Sequence, residues 1–200
     1  MDENTAAFLK VLDPADNSTG GGTASAVAGA MAAALVAMVA RLSVGKEGME
    51  EPDSFYTALG ASAETLSKQL FDGGRQDSQA FEAVRNAFRL PKQSEEEKAR
   101  RREAIQAAWI QASRVPLANA ERCSQVLDLG EQLRGRSNPN AASDLACAIV
   151  LARAGLLGCL ENVEINLPAI KETHVVAELA GRLSALRGHL EIETAIGNRT

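Results

Sequence analysis

Two hundred residues with 46% hydrophobic side chains suffice for one domain with a full core. A net charge of −5 and only 4% aromatic residues argue against general nucleic-acid binding by a basic, base-stacking surface. Three cysteines without a CxxC or Cys/His pattern, and two histidines near the C-terminus, support neither a zinc site nor a Ser–His triad. The odd cysteine count fits reduced thiols in a cytoplasm. Met1-Asp2-Glu3-Asn4 lacks the charge pattern of a signal peptide.

Helical periodicity recurs along the chain, broken by Gly, Pro and Asn clusters, and strand signals are nearly absent. A short helix is predicted from Glu3 to Leu12, ended by Asp13-Pro14. Ser18-Thr19-Gly20-Gly21-Gly22-Thr23 then opens an uncharged, alanine-rich helix that runs to about Val44. Its length approaches the roughly 20 apolar residues of a membrane span, but alanine and glycine gain little from lipid and aromatic anchors are missing. The prediction is a core helix buried all round, whose small side chains let neighbours pack close.

The next helix begins near Pro52 and is predicted to stop at Phe71, before Asp72-Gly73-Gly74. Another covers Gln76 to Arg89, with Phe81, Val84 and Phe88 on one face, and Pro91 ends it. Ser94-Glu95-Glu96-Glu97 reads as a capping box. The helix it starts runs to Leu133, with Pro116 as a kink. Residues 134–140 form a polar loop, and a second small-residue apolar helix spans Ala141 to Leu160. Asn162 to Pro168 reads as a bend before a last amphipathic helix from Ile170 to Ile196. The expected fold is all-α: an up-and-down bundle around two long buried helices, paired as a dimer to cover their surplus apolar surface.

Gly20, Gly21, Gly22 and Thr23 expose backbone N–H groups at a helix start, which suits an anion or a polar ligand edge. The same glycines would also serve close backbone packing. Asp144, in Ser143-Asp144-Leu145, is either a first-turn carboxylate favoured by the helix dipole or a functional acid; Asp77 admits the same two readings. Asn138, Asn162 and Asn166 flank the second apolar helix as caps or as ligand contacts. Lys92, Arg100, Arg101 and Arg102 form either a solvated ion-paired face or a basic rim for a carboxylate-bearing ligand. Lys46 either binds ligand or offsets the helix C-terminus before it.

Taken in order, these residues resemble the cyclodeaminase domain of the formiminotransferase-cyclodeaminase family, which includes stand-alone methenyltetrahydrofolate cyclohydrolases. Gly20-Gly21-Gly22-Thr23 with its alanine-rich helix is similar to a family Pro-Gly-Gly-Gly-Ser segment. Gly45-Lys46, Asp77-x-x-Ala80-Phe81, Leu90-Pro91-Lys92 and Glu96-Glu97-Lys98 with Arg100-Arg101 follow in family order. So do Val115-Pro116-Leu117, Asn138, Ser143-Asp144-Leu145, Gly158, Asn162-Val163 and Ile165-Asn166-Leu167. Four positions depart. Thr19 stands where the family usually has Pro and Thr23 where it usually has Ser, Met49 and its neighbours lack a Tyr, and Arg75 lies where some members carry a second acid.

The resemblance implies a usually dimeric helical bundle that binds a reduced folate, with no metal or redox cofactor. Its reactions are closure of 5-formiminotetrahydrofolate to 5,10-methenyltetrahydrofolate with loss of ammonia, and addition of water to the methenyl bridge. Both need proton transfer at a tetrahedral carbon between N5 and N10. Asp144 is expected to carry it ahead of Asp77, because Asp144 opens a helix otherwise made of Leu, Ala, Cys, Ile and Val. Gly20, Gly21, Gly22, Thr23, Lys46, Asn138, Ser143, Asn162 and Asn166 are expected to bind substrate. Lys92, Arg100 and Arg101 are expected to meet its glutamate tail. Two readings stand: a cytoplasmic folate enzyme, or a scaffold of the same fold that binds folate or a partner without turnover. Asp77, Lys92, Asn138 and Asp144 speak for the first, and the departures at Thr19, Met49 and Arg75 leave room for the second.

Overall fold

Six α-helices dominate the described residues: α1 (Glu3–Val11), α2 (Gly21–Ser43), α3 (Asp53–Arg89), α4 (Glu95–Leu133), α5 (Ala142–Asn166) and α6 (Thr173–Gly197). The structure is a computed structural model that describes residues 1–197, with side chains through Leu190. No strand occurs among them. Helices α2 to α5 pack as neighbours around a square, α2 on α3, α3 on α4, α4 on α5 and α5 on α2, while α1 lies on α3 and α6 on α4 and α5. This is the expected all-α bundle.

The small residues of α2 and α5 set how closely the bundle closes. A methyl group on Gly29 would overlap the Cys123 sulfur, and one on Gly155 would lie 2.8 Å from the Ser25 carbonyl oxygen. Ala26, Ala32, Ala33, Ala148 and Ala152 are buried along the same helices. Helix α2 is apolar and long enough to cross a membrane, as is 139–169. Within the bundle α2 packs against α3, α4 and α5. One face stays open, because Met31, Met38 and Leu42 are exposed, and α5 exposes Val150 and Leu157.

The predicted stop at Asp72-Gly73-Gly74 is corrected: α3 runs unbroken from Asp53 to Arg89. The two glycines serve close approach instead. A Cβ on Gly73 would overlap the Asn119 side chain of α4, whose Nδ2 donates to the Gly73 carbonyl at 3.2 Å. A Cβ on Gly74 would lie 3.4 Å from the Thr23 carbonyl oxygen of α2. Pro116 likewise sits inside α4 without ending it. Helix α5 runs past its expected end at Leu160 into the expected bend, to Asn166. Ser94 and Glu97 do form the capping box.

At 1.5 Å per residue, α3 and α4 are each about 55 Å long and α2 and α5 about 35 Å. The α3–α4 hairpin therefore overhangs the body. Its overhang is held by a narrow cluster of Ala80, Val84 and Ala87 on α3 against Ala108, Ala112 and Val115 on α4. With only two helices there, Phe81 and Phe88 remain 44% and 48% exposed; of the expected apolar face only Val84 is buried. The candidate site lies where this overhang leaves the body.

Candidate active site

The first turn of α2, the middle of α3, the middle of α4 and the last turns of α5 converge on a cavity of about 380 Å³. That is the size of a small-molecule site. Gly20 and Gly22 line it from α2 and its entry loop, Asp77, Ser78 and Phe81 from α3, Trp109 and Ala112 from α4, and Asn162, Ile165 and Asn166 from α5. The loop before α2 supplies Asn17, Ser18 and Thr19. None of the lining residues is Lys, Arg or His, and Asp77 is the one ionisable group among them.

Asp77 is positioned by two facts of packing. Gly74, one turn earlier, lets α3 approach the α2 backbone at Thr23. Gly22, with no side chain, leaves room for the carboxylate, which a Cβ there would meet at 2.5 Å. The Thr23 hydroxyl then donates to Asp77 Oδ2 at 3.0 Å. Burial pushes the Asp77 carboxyl above its ordinary range, and the hydroxyl and amide of Thr23 pull it part of the way back. A carboxyl held this way can give or take a proton nearer neutral pH than a solvated aspartate.

Asn162 lies against the triple glycine: its Nδ2 donates to the Gly158 carbonyl at 2.9 Å and would stand 3.3 Å from a Cβ on Gly21. Asn166 donates to the Ala112 carbonyl at 2.9 Å, tying the end of α5 to α4. Both carboxamides therefore sit in fixed orientations at the cavity wall. Behind it, Cys123 and Cys159 are buried free thiols. A hydrogen bond that the Cys159 thiol donates to Cys123, then burial, push Cys159 well above the usual thiol range, so it is no thiolate nucleophile at neutral pH.

The expected site residues separate into three places. Gly20, Gly21, Gly22, Thr23, Asp77, Asn162 and Asn166 come together at the cavity. Lys46, Asn138, Ser143 and Asp144 lie at the opposite end of the bundle. Asp144, in the first turn of α5, is about 27 Å along that helix from Asn162. Asn138 is committed to the protein: its backbone N–H binds Ser43 Oγ and its Nδ2 the Leu42 carbonyl, both at 2.9 Å. Within one chain the expectation that Asp144 leads therefore does not carry to the cavity; Asp77 is the carboxylate there. Lys92, Arg100 and Arg101 lie at the hairpin tip, where Arg101 binds the Phe88 carbonyl and covers the Phe88 ring at 5.5 Å.

Sequence reasoning did not assign Trp109, Phe81, Ser18, Thr19 or Ser78 to the site. The signal for Phe81 was present, since it follows Asp77 by four residues and shares its helix face. Arg75 turns away from the cavity and binds Asp72, Asn4 and Glu3.

The fold and the sequence agree with known proteins. The family model described as formiminotransferase-cyclodeaminase matches residues 4–185. The chain belongs to the formiminotransferase-cyclodeaminase family. It is 36% identical over 197 residues to a methenyltetrahydrofolate cyclohydrolase of Methylorubrum extorquens, covering 98% of this chain and 93% of that one. It is 31% identical over 196 residues to the formimidoyltransferase-cyclodeaminase of Rattus norvegicus, of which it spans 36%. The crystal structure of a formiminotetrahydrofolate cyclodeaminase from Thermotoga maritima superposes with a TM-score of 0.78 at 30% identity, over 90% of this chain and 86% of that one. Among the described residues no group of three or more His, Cys, Asp or Glu is placed to hold a metal ion.

Proposed function

We propose that the cavity holds the one-carbon bridge of a reduced folate and that Asp77 transfers the proton there. The chain is an enzyme of folate one-carbon chemistry, of the cyclodeaminase and cyclohydrolase kind. The observation that supports this placement is the Asp77 carboxyl, desolvated, held by Thr23 and opening onto the cavity.

In hydrolysis, water adds to the carbon between N5 and N10 while the Asp77 carboxylate accepts its proton. The tetrahedral adduct then breaks its bond to N5 as its hydroxyl gives up its proton to solvent to become the carbonyl, and the same carboxyl returns the first proton to N5, leaving the formyl group on N10. In cyclodeamination, N10 attacks the formimino carbon on N5 as its proton passes to the imino nitrogen, and the Asp77 carboxyl protonates the resulting amine, which leaves as ammonia. Each sequence balances with water, protons and ammonia alone, so neither a metal nor a cofactor is proposed. A positioned acid–base group typically contributes about 10² to 10⁴ in rate.

Gly20, Gly22, Asn162 and Asn166 are read as ligand contacts at the walls. Lys92 and Arg100, exposed at the hairpin tip, are read as contacts for the substrate's glutamate tail, with Arg101 already bound to Phe88. Two copies are read as pairing through the open faces of α2 and α5. A reducing cytoplasm suits the free thiols Cys123, Cys147 and Cys159, and no nucleic acid or membrane partner is proposed.

The deciding experiment follows the absorbance of the methenyl chromophore with purified protein. Loss of the signal from 5,10-methenyltetrahydrofolate reads hydrolysis, and its appearance from 5-formiminotetrahydrofolate reads cyclodeamination. Neither change at any folate concentration would contradict the proposal and favour the scaffold reading.

A further inference from the structure

Thr19 carries an unexplained hydroxyl. Its Oγ1 is shut off from water and has no hydrogen-bond partner, although the residue lines the cavity. A buried hydroxyl without a partner is unfavourable, and native proteins keep few of them. The Ser18 hydroxyl beside it is likewise shut off from water without a hydrogen-bond partner, although it lies near the Asp16 carboxylate that the Ser18 backbone N–H binds at 2.6 Å.

The cavity says what kind of group would satisfy it. Its walls include the indole of Trp109 and the ring of Phe81, and its polar lining is hydroxyl, carboxamide and backbone, with Asp77 the one charge. A glutamate tail would bring carboxylates beside Asp77 with no cation in the lining to offset them. A flat, uncharged ring with alternating donors and acceptors on its edge meets no such repulsion. Thr19 lies outside helix α2 and lines the cavity, and presenting its hydroxyl to a bound ring requires it to turn about the Cα–Cβ bond to another staggered position.

Resting on the folate reading above, we infer that the Thr19 hydroxyl is a ring-recognition contact: it hydrogen-bonds the polar edge of the bicyclic ring of the substrate. It fixes that ring relative to Asp77 and takes no part in proton transfer.

The test uses Trp109, the single tryptophan of the chain, as a fluorescent reporter inside the cavity. The full chain is titrated with tetrahydrofolate carrying one or three glutamates, as wild type, Thr19→Val and Thr19→Ser. Loss of one neutral hydrogen bond is expected to weaken binding by Thr19→Val about fivefold. The factor is expected to be the same for both tail lengths, and Thr19→Ser is expected to restore wild-type affinity. In turnover the loss falls on KM, with kcat nearly unchanged. Because the free protein loses only an unpaired hydroxyl, the melting temperature of Thr19→Val is expected not to fall.

Wild-type affinity in Thr19→Val would overturn the subsite. So would a loss that changes with tail length, a loss that Thr19→Ser shares, or a lowered melting temperature that accounts for weaker binding. Any of these with wild-type turnover intact leaves the folate reading standing. A wild-type protein that neither binds tetrahydrofolate nor alters the methenyl chromophore would overturn both.

Discussion

Gly22 and Asp77 are fitted to one another: a methyl group on Gly22 would sit 2.5 Å from Asp77 Oδ1 and 2.6 Å from Oδ2. Carbon and oxygen cannot share that distance, so Gly22→Ala must displace the carboxylate. Overpacking of this kind costs about 1–3 kcal/mol of stability. A displacement near 1 Å at a reacting group costs about a hundredfold in rate. Gly22→Ala is expected to keep its helical circular dichroism and lose about a hundredfold in kcat/KM. Wild-type kcat/KM would show that the Asp77 position is unimportant.

Thr23 sets the titration of Asp77. Burial raises the Asp77 pKa and the Thr23 hydroxyl and amide lower it, so Thr23→Val removes one of the lowering contacts and the pKa rises further. The carboxylate form then needs a higher pH. The acidic limb of the pH profile for hydrolysis is expected to move to higher pH in Thr23→Val. An unmoved limb would separate Asp77 from the observed titration.

The two glycines inside α3 are expected to behave unlike an open helical glycine. Gly73→Ala would press a methyl group onto Asn119 and disturb its bond to the Gly73 carbonyl, a destabilisation of about 1–3 kcal/mol. Gly181, in α6, has nothing within 4 Å of a Cβ, so Gly181→Ala is expected to stabilise by about 0.4–1 kcal/mol. Urea denaturation of both variants reads the opposite signs.

Met31, Met38 and Leu42 on α2, with Val150 and Leu157 on α5, leave apolar side chains exposed on neighbouring helices. A two-fold pairing would cover them. Sedimentation is expected to show a dimer at micromolar concentration, and Val150→Glu with Leu157→Glu is expected to shift it to monomer. Monomer alone in the wild type would contradict the pairing.

Helix types were legible where the signal was local. The Ser94–Glu97 box, the small-residue runs of α2 and α5 and the polar loop at 134–140 all follow from residues within one turn of each other. Gly73-Gly74 was misleading because a glycine pair is equally a helix stop and a place for another helix to approach. Only Asn119, 46 residues away, decides between them. Asp77 and Asp144 look alike for the same reason. Each is an acid near small apolar residues, and the feature that separates them is Thr23, 54 residues from Asp77. Trp109 reads as an isolated aromatic until α3 and α5 place it in a cavity wall.

The central claim is that Asp77 moves the proton, and Asp77→Asn tests it most directly. The substitution keeps the shape and the contact with Thr23 but removes the titrating group. In the wild type a carboxyl with a raised pKa binds its proton more tightly folded than unfolded, so its ionisation lowers stability as pH rises above the ordinary carboxylate value of 3.8. Asp77→Asn lacks that loss and is expected to melt no lower than wild type at neutral pH. Its methenyl turnover, with folate binding retained, is expected to fall at least about a hundredfold. A folded Asp77→Asn protein that binds folate and turns over at the wild-type rate would contradict the account.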